Sequence, residues 1–193
     1  MIGVIFGPPG SGKGTQAARI ETEFELAHLS TGEILRGEAS RRSAVGRRVA
    51  RVMSAGDLVP DELIIDIVAR RLRRPDVRRG VLLDGFPRTV EQAKALDELL
   101  AKDGRKVDFV IALEVPERSL VERLIKRARE QGRADDTRKA IAERMFEYRT
   151  LTAAVLDYYR LRGHRVIEIP GVGPVESVFD RIKKDLSISP SPR

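Results

Sequence analysis

Five short apolar runs recur along the chain: Ile2–Phe6, a piece at His28–Leu29, Val81–Leu83, Val107–Leu113 and Val166–Ile169. Each is too short for a helix and shows little polar alternation, the pattern of a strand buried on both faces. Between the runs, apolar positions return at helical spacing over Gly14–Glu25, Asp61–Arg74, Val90–Lys102, Glu117–Arg129, Thr137–Leu161 and Pro174–Leu186. Strand alternating with helix predicts an α/β fold: a five-stranded parallel sheet with helices on both faces. Pro60, Pro116 and Pro174 stand where helices are predicted to start, positions at which a missing N–H is harmless. Ser187–Arg193 is rich in Ser and Pro and is predicted to fray.

Two segments depart from the alternation. Thr31–Glu38 and Ser43–Ala55 are both helical in pattern and precede the Asp61 helix, although a crossover between parallel strands needs only one helix. They are read as an insertion. Glu130–Asp136 is polar and turn-like and interrupts an Arg-rich helical region, so it is read as a short exposed lobe. No internal repeat is visible.

Composition narrows the class. A length of 193 residues fits one domain with small insertions, and 41% hydrophobic with 34% charged residues is ordinary for a soluble globular protein. Cysteine is absent, which excludes disulfides and Cys-based zinc sites. No apolar run approaches the ~20 residues that span a bilayer, and the first strand leaves no room for a signal peptide. A cytoplasmic protein without a membrane partner is expected. The net charge of +7 fits a polyanionic partner, nucleic acid or nucleotide phosphate, and equally fits plain solvated surface on Arg-rich helices such as Arg41–Arg51 and Arg70–Arg79. The basic residues form no tail and aromatics are only 5%, too few for a platform on which single strands stack, so no nucleic-acid partner is expected.

The chemistry concentrates in Gly7-Pro8-Pro9-Gly10-Ser11-Gly12-Lys13-Gly14-Thr15, which follows the first strand and leads into a helix. Strand, glycine-rich turn and helix N-terminus make a phosphate-binding loop, whose backbone N–H groups close on an oligophosphate where no Cβ intervenes. Lys13 adds a point charge. The alternative is a glycine turn beside a surface lysine. The usual motif has Ser or Thr directly after the lysine to hold Mg²⁺. Here Gly14 takes that position and Thr15 comes one residue late, so Mg²⁺ is expected to rest mainly on phosphates and water.

The second anchor is Leu82-Leu83-Asp84-Gly85-Phe86-Pro87-Arg88. An Asp ending a buried parallel strand lies at the sheet's carboxyl edge, where α/β ligands bind, and can reach a metal through its waters. Its plainer role is a turn or helix cap. Gly85 would let backbone approach a ligand closely.

Gly7–Gln16, Leu29–Arg36, the segment 55–60, Leu82–Thr89 with Gln92, and Gly132–Asp136 occur in order over nearly the whole chain. Together they resemble the adenylate kinases of the short-lid type. The resemblance implies a P-loop NTPase-like three-layer fold and the reaction ATP + AMP ⇌ 2 ADP with Mg²⁺. It divides the chain into a core (1–29, 60–126 and 137–193), an AMP-binding insertion (30–59) and a lid (127–136). Long-lid relatives often carry a zinc bound through cysteines; with no Cys, this chain is expected to have no structural zinc. A monomer is expected.

By the same resemblance, Gly10, Ser11, Gly12, Lys13, Gly14 and Thr15 hold the ATP phosphates. Arg123 stacks on the ATP adenine, Gly173 packs against it, and Asp84 meets Mg²⁺ through water. Arg36 and Arg88 hold the AMP phosphate, Arg127 serves ATP, and Arg133 and Arg144 clamp the transferring phosphoryl. Thr31 and Gln92 read the AMP adenine; UMP/CMP kinases, the nearest alternative, typically have Ala and Asn there. Asp57, Leu58, Val59, Gly85, Phe86 and Pro87 complete the AMP site. Glu33 stands where the family more often has Asp. Asp135 and Asp136 either latch the lid or cap the Thr137 helix, and Gly173 could equally be a plain turn. Independently of any family, arginine suits such a site: its fork binds phosphate oxygens in pairs and keeps its proton. A second class of reading, an interaction protein gated by nucleotide, predicts salt-sensitive polynucleotide binding and no turnover.

Overall fold

The structure, a computed structural model, describes residues 1–41, 43–55, 57–131 and 137–187. The apolar runs form five strands: β1 (Ile2–Phe6), β2 (Ala27–Ser30), β3 (Val81–Asp84), β4 (Phe109–Glu114) and β5 (Val166–Pro170). They make one parallel sheet in the order β2-β3-β1-β4-β5. Nine α-helices lie among the described residues: α1 (Lys13–Phe24), α2 (Thr31–Ala39), α3 (Ala44–Ala55), α4 (Asp61–Leu72), α5 (Val90–Ala101), α6 (Glu117–Gln131), α7 (Arg138–Glu147), α8 (Ala153–Leu161) and α9 (Val175–Ser187). None of the described helices is long and apolar enough to cross a membrane.

Successive side chains on a strand point to opposite faces, so a strand covered on both sides must be apolar throughout. Val4, Phe6, Leu83, Val110 and Ala112 share one buried cluster with Ile64 and Val68 of α4, Ala93, Leu96 and Leu100 of α5, and Val155 and Tyr159 of α8. Ile5, Leu82, Ile111 and Leu113 share the other with Ala17 and Ile20 of α1 and Val178, Phe179 and Ile182 of α9. Each fully buried Val, Leu, Ile or Phe among them contributes about 1.5–3 kcal/mol relative to exposure. The three-layer α/β architecture expected from the alternation is thus present. Leu35 of α2 and Val49 of α3 join the first cluster, so the inserted helices anchor an apolar stripe against the same core.

Register places the functional ends. Asp84 pairs with Ile5 on one side and Ser30 on the other, so β1, β2 and β3 end together at one edge. The single helix expected over Thr137–Leu161 is instead α7, a π-helical turn at Tyr148–Thr152, and α8. One widened turn keeps the apolar stripe running, so periodicity does not reveal it. Tyr148 and Thr152, on that turn, both face the cleft described next.

Candidate active site

The turn between β1 and α1 is held in shape by its glycines. Gly10 has φ +82°, and a Cβ there would come within 2.9 Å of the Leu120 carbonyl oxygen on α6. Backbone and helix therefore approach at a distance only glycine allows. Lys13 opens α1, whose first N–H groups lack intrahelical partners and carry the positive end of the helix dipole. Its ammonium donates to the carbonyls of Gly7 (2.6 Å) and Pro8 (3.1 Å). Burial pushes the Lys13 pKa down to about 8; Asp84 opposes this, while the charges of Arg88 and Arg127 add to it.

Asp84 ends β3 and is 9% exposed. It faces the phosphate loop: a Cβ on Gly14 would stand 3.7 Å from its Oδ2. Burial alone would raise the Asp84 carboxyl, but contact with His28 and the charges of Lys13, His28 and Arg88 outweigh it and hold it below the ordinary carboxylate range. His28 Nε2 lies 3.4 Å from Asp84 Oδ2. The ring nitrogen has no well-aligned hydrogen bond, so the attraction is chiefly one of charge. Burial lowers the His28 imidazole, and Asp84, Glu21 and Glu33 more than reverse it, leaving its pKa raised.

The segment after Asp84 is cross-braced. Gly85, at φ +80°, sits so close to α2 that a Cβ would fall 2.8 Å from Thr31 Oγ1. Thr31 Oγ1 donates to the Asp84 carbonyl at 3.2 Å. Arg88 is fixed from three directions: its N–H donates to Gln92 Oε1 (2.7 Å), its Nε donates to the Gly85 carbonyl (2.9 Å), and its carbonyl accepts from Thr152 Oγ1 (3.2 Å). Gln92 in turn donates from Nε2 to Asp61 (2.6 Å). Burial lowers the Arg88 pKa, and the nearby charge of Arg144 lowers it further. Two guanidinium groups crowded together are an arrangement that an anion between them would relieve.

These pieces meet in one cleft of about 810 Å³. Every residue assigned to ATP, AMP or metal from the sequence that lies among the described residues lines it. The phosphate loop and Asp84 stand beside Thr31, Arg36, Asp57–Val59, Gly85–Arg88 and Gln92, with Arg123, Arg127, Arg144 and Gly173 completing the wall. Arg133 and the rest of 132–136 lie outside the described residues, as does Gly56. Gln16 donates from Nε2 to the Val175 carbonyl at 3.1 Å, tying α1 to the turn that holds Gly173.

Three further residues belong to the site and carry no sequence signal. His28 reads as a strand position, and Asp61 and Glu147 read as helix positions. Glu147 lines the cleft, and its Oε1 accepts from the Leu58 N–H at 2.9 Å. Burial lifts its carboxyl above the ordinary range, against the pull of Arg88 and the Leu58 amide.

No group of three or more metal-ligating His, Cys, Asp or Glu occurs among the described residues. A lone ionised carboxylate fits a hard ion that keeps most of its water and leans on phosphate oxygens, which is how Mg²⁺ binds with nucleotides.

The family model described as adenylate kinase matches residues 5–164. An adenylate kinase of Stenotrophomonas maltophilia (strain K279a) is 47% identical over 179 residues, 93% of this chain and 95% of that protein. One from Leifsonia xyli subsp. xyli is 48% identical over 179 residues, covering 93% and 89%. One from Xanthomonas euvesicatoria pv. vesicatoria is 44% identical over 183 residues, covering 95% and 97%.

Proposed function

Because the chain belongs to the adenylate kinase family, a class of phosphotransferases acting on nucleoside monophosphates, we propose that its one cleft holds ATP at the Lys13 end and AMP at the Arg88 end and passes a phosphoryl group between them. The reaction is ATP + AMP ⇌ 2 ADP. The observation that carries this assignment of ends is the presence of two cationic clusters in one cleft, Lys13 with the α1 N-terminus, and Arg88 with Arg144. A protein that only binds ATP needs one phosphate site.

Loop N–H groups from Gly10 to Thr15 and the Lys13 ammonium take the ATP phosphates. Arg123 and Gly173 take its adenine. Arg36 and Arg88 hold the AMP phosphate, Arg127 serves ATP, and Arg133 and Arg144 gather charge on the transferring group. Thr31 and Gln92 read the AMP base against a wall of Asp57, Leu58, Val59, Gly85, Phe86 and Pro87. No general base is needed, because the acceptor oxygen is already ionised; positioning and charge neutralisation carry the catalysis. Adenylate kinases work with Mg²⁺, which when bound draws charge from the phosphates; Asp84 is the carboxylate that would hold it through water. We assign 30–59 as the AMP-binding lobe, 127–136 as the lid, and the remainder as the core. A cysteine-free chain of this kind suits a monomer in the cytoplasm, with neither membrane nor nucleic acid as partner.

UMP/CMP kinase activity is not favoured, since the curated relatives are adenylate kinases. The test is a coupled ADP assay with ATP as donor and AMP, IMP, UMP or CMP as acceptor. AMP should lead by roughly tenfold or more in kcat/KM, the scale of one paired base contact. Equal or better turnover of UMP or CMP would overturn the assignment of AMP.

A further inference from the structure

We infer that Asp61, together with the Arg88 N–H, makes this enzyme select a 6-amino over a 6-oxo purine acceptor, by holding the Gln92 amide in one of its two orientations. The inference rests on the reading of Gln92 as the residue that meets the AMP base.

Gln92 is 2% exposed, so its amide cannot turn to water for partners. Its Oε1 accepts from the Arg88 N–H at 2.7 Å and its Nε2 donates to Asp61 Oδ1 at 2.6 Å. The other Asp61 oxygen, Oδ2, accepts from Thr89 Oγ1 at 3.0 Å. That same Thr89 oxygen caps α5 by accepting from the Gln92 N–H at 3.1 Å. Asp61 of α4 and Arg88, Thr89 and Gln92 at the start of α5 therefore close a ring in which each donor faces an acceptor.

The ring has only one sense. Turning the amide over would set Gln92 Oε1 against the Asp61 carboxylate and Nε2 against the Arg88 N–H. Acceptor would face acceptor and donor would face donor. A backbone N–H cannot change its polarity, and neither can a carboxylate.

A primary amide has two N–H donors and two acceptor lone pairs. The ring uses one of each. An amide carries one acceptor and one donor side by side on its O–C–N edge, and the ring decides which atom holds which end. Adenine offers an amino donor at position 6 beside the N1 acceptor, and hypoxanthine offers an oxo acceptor at position 6 beside an N1–H donor. The two bases are read by opposite orientations of the same amide. An amide locked in one sense thus accepts one base and meets the other with like poles. IMP is the sharp probe, because it differs from AMP at this edge alone.

The experiment compares kcat/KM for AMP and IMP, with ATP as donor, in the parent enzyme and in Asp61→Ala, Asp61→Asn and Gln92→Leu. Asparagine matches aspartate in size and keeps an acceptor for Gln92 Nε2 while lifting the carboxylate's bar to the other sense, so it loosens the ring less than alanine and keeps the fold if alanine does not. The AMP:IMP ratio should fall at least about tenfold in Asp61→Ala, and in the same direction in Asp61→Asn. A purely structural tie between α4 and α5 would weaken both acceptors in parallel and leave the ratio unmoved. A ratio within twofold of the parent in both Asp61 variants, with Gln92→Leu collapsing it, would overturn the role of Asp61 alone. An unchanged ratio in Gln92→Leu would instead reject Gln92 as the base reader, and the inference with it.

Discussion

Near pH 8 the Lys13 ammonium stands at the middle of its titration, because burial and two neighbouring guanidinium groups outweigh the attraction of Asp84. Its ordinary value is 10.5, so between about 8 and 10.5 the unfolded chain holds more protons than the folded one. Lys13 therefore makes folding stability rise with pH across that window, and below it the charged form costs stability in full. ATP phosphates favour the charged form. Above pH 8, then, ATP binding must draw in a proton, and affinity should fall as pH rises. Titration calorimetry at pH 8.5 in buffers of different ionisation enthalpy should report uptake of more than about half a proton, absent in Lys13→Met. Equal uptake in both proteins would assign the proton to another group. The same variant should lose roughly 10²–10³ in kcat, the usual loss on removing one preorganised charge donor, and activity within tenfold of the parent would end the role given to this lysine.

The elements are joined at the cleft by a few long-range polar ties rather than by loops. Glu147, at the end of α7, accepts from the Leu58 N–H and so hangs the segment between α3 and α4 on the opposite wall. Its carboxyl is half-buried, and burial outweighs the pull of Arg88 and that amide. Glu147→Ala leaves a part-buried backbone N–H without its acceptor but also removes a carboxylate that burial disfavours, a net loss of about 1 kcal/mol, visible as a lower melting temperature. If the inserted helices form the AMP lobe, KM for AMP should rise while KM for ATP stays within about twofold; Glu147→Gln, which retains an acceptor, should recover most of both. A parallel rise in both KM values would mean that the tie supports the whole cleft.

At the scale of the molecule, two phosphate clusters in one cavity make a prediction about linked ligands. Two adenosines joined by five phosphates should bind at least about 100-fold more tightly than ATP or AMP alone, since the second contact becomes intramolecular. Crystallography of that complex should find the chain of phosphates between Lys13 and the Arg88–Arg144 pair. Affinity no better than that of ATP would leave one nucleotide site and remove the case for two substrates in one cleft.

Much of this protein was determined locally. Strands buried on both faces must be apolar throughout, so five apolar runs disclosed the sheet, and a glycine-rich turn between strand and helix disclosed a phosphate loop. The two extra helices between β2 and β3 showed as a surplus over what a crossover needs. The arginines of the cleft were legible only through resemblance, because a charged residue on a helix looks the same whether it meets phosphate or water. Tertiary structure decided the rest. The order β2-β3-β1-β4-β5 sets Asp84 beside Gly14 and His28. Packing of α4 on α5 joins Asp61 to Gln92 across 31 residues, and packing of α3 on α7 joins Leu58 to Glu147 across 89. Periodicity records only whether a position is buried and on which face. The partner of a buried carboxylate or amide, like the pKa of a buried lysine, depends on which distant group the fold brings within about 3 Å.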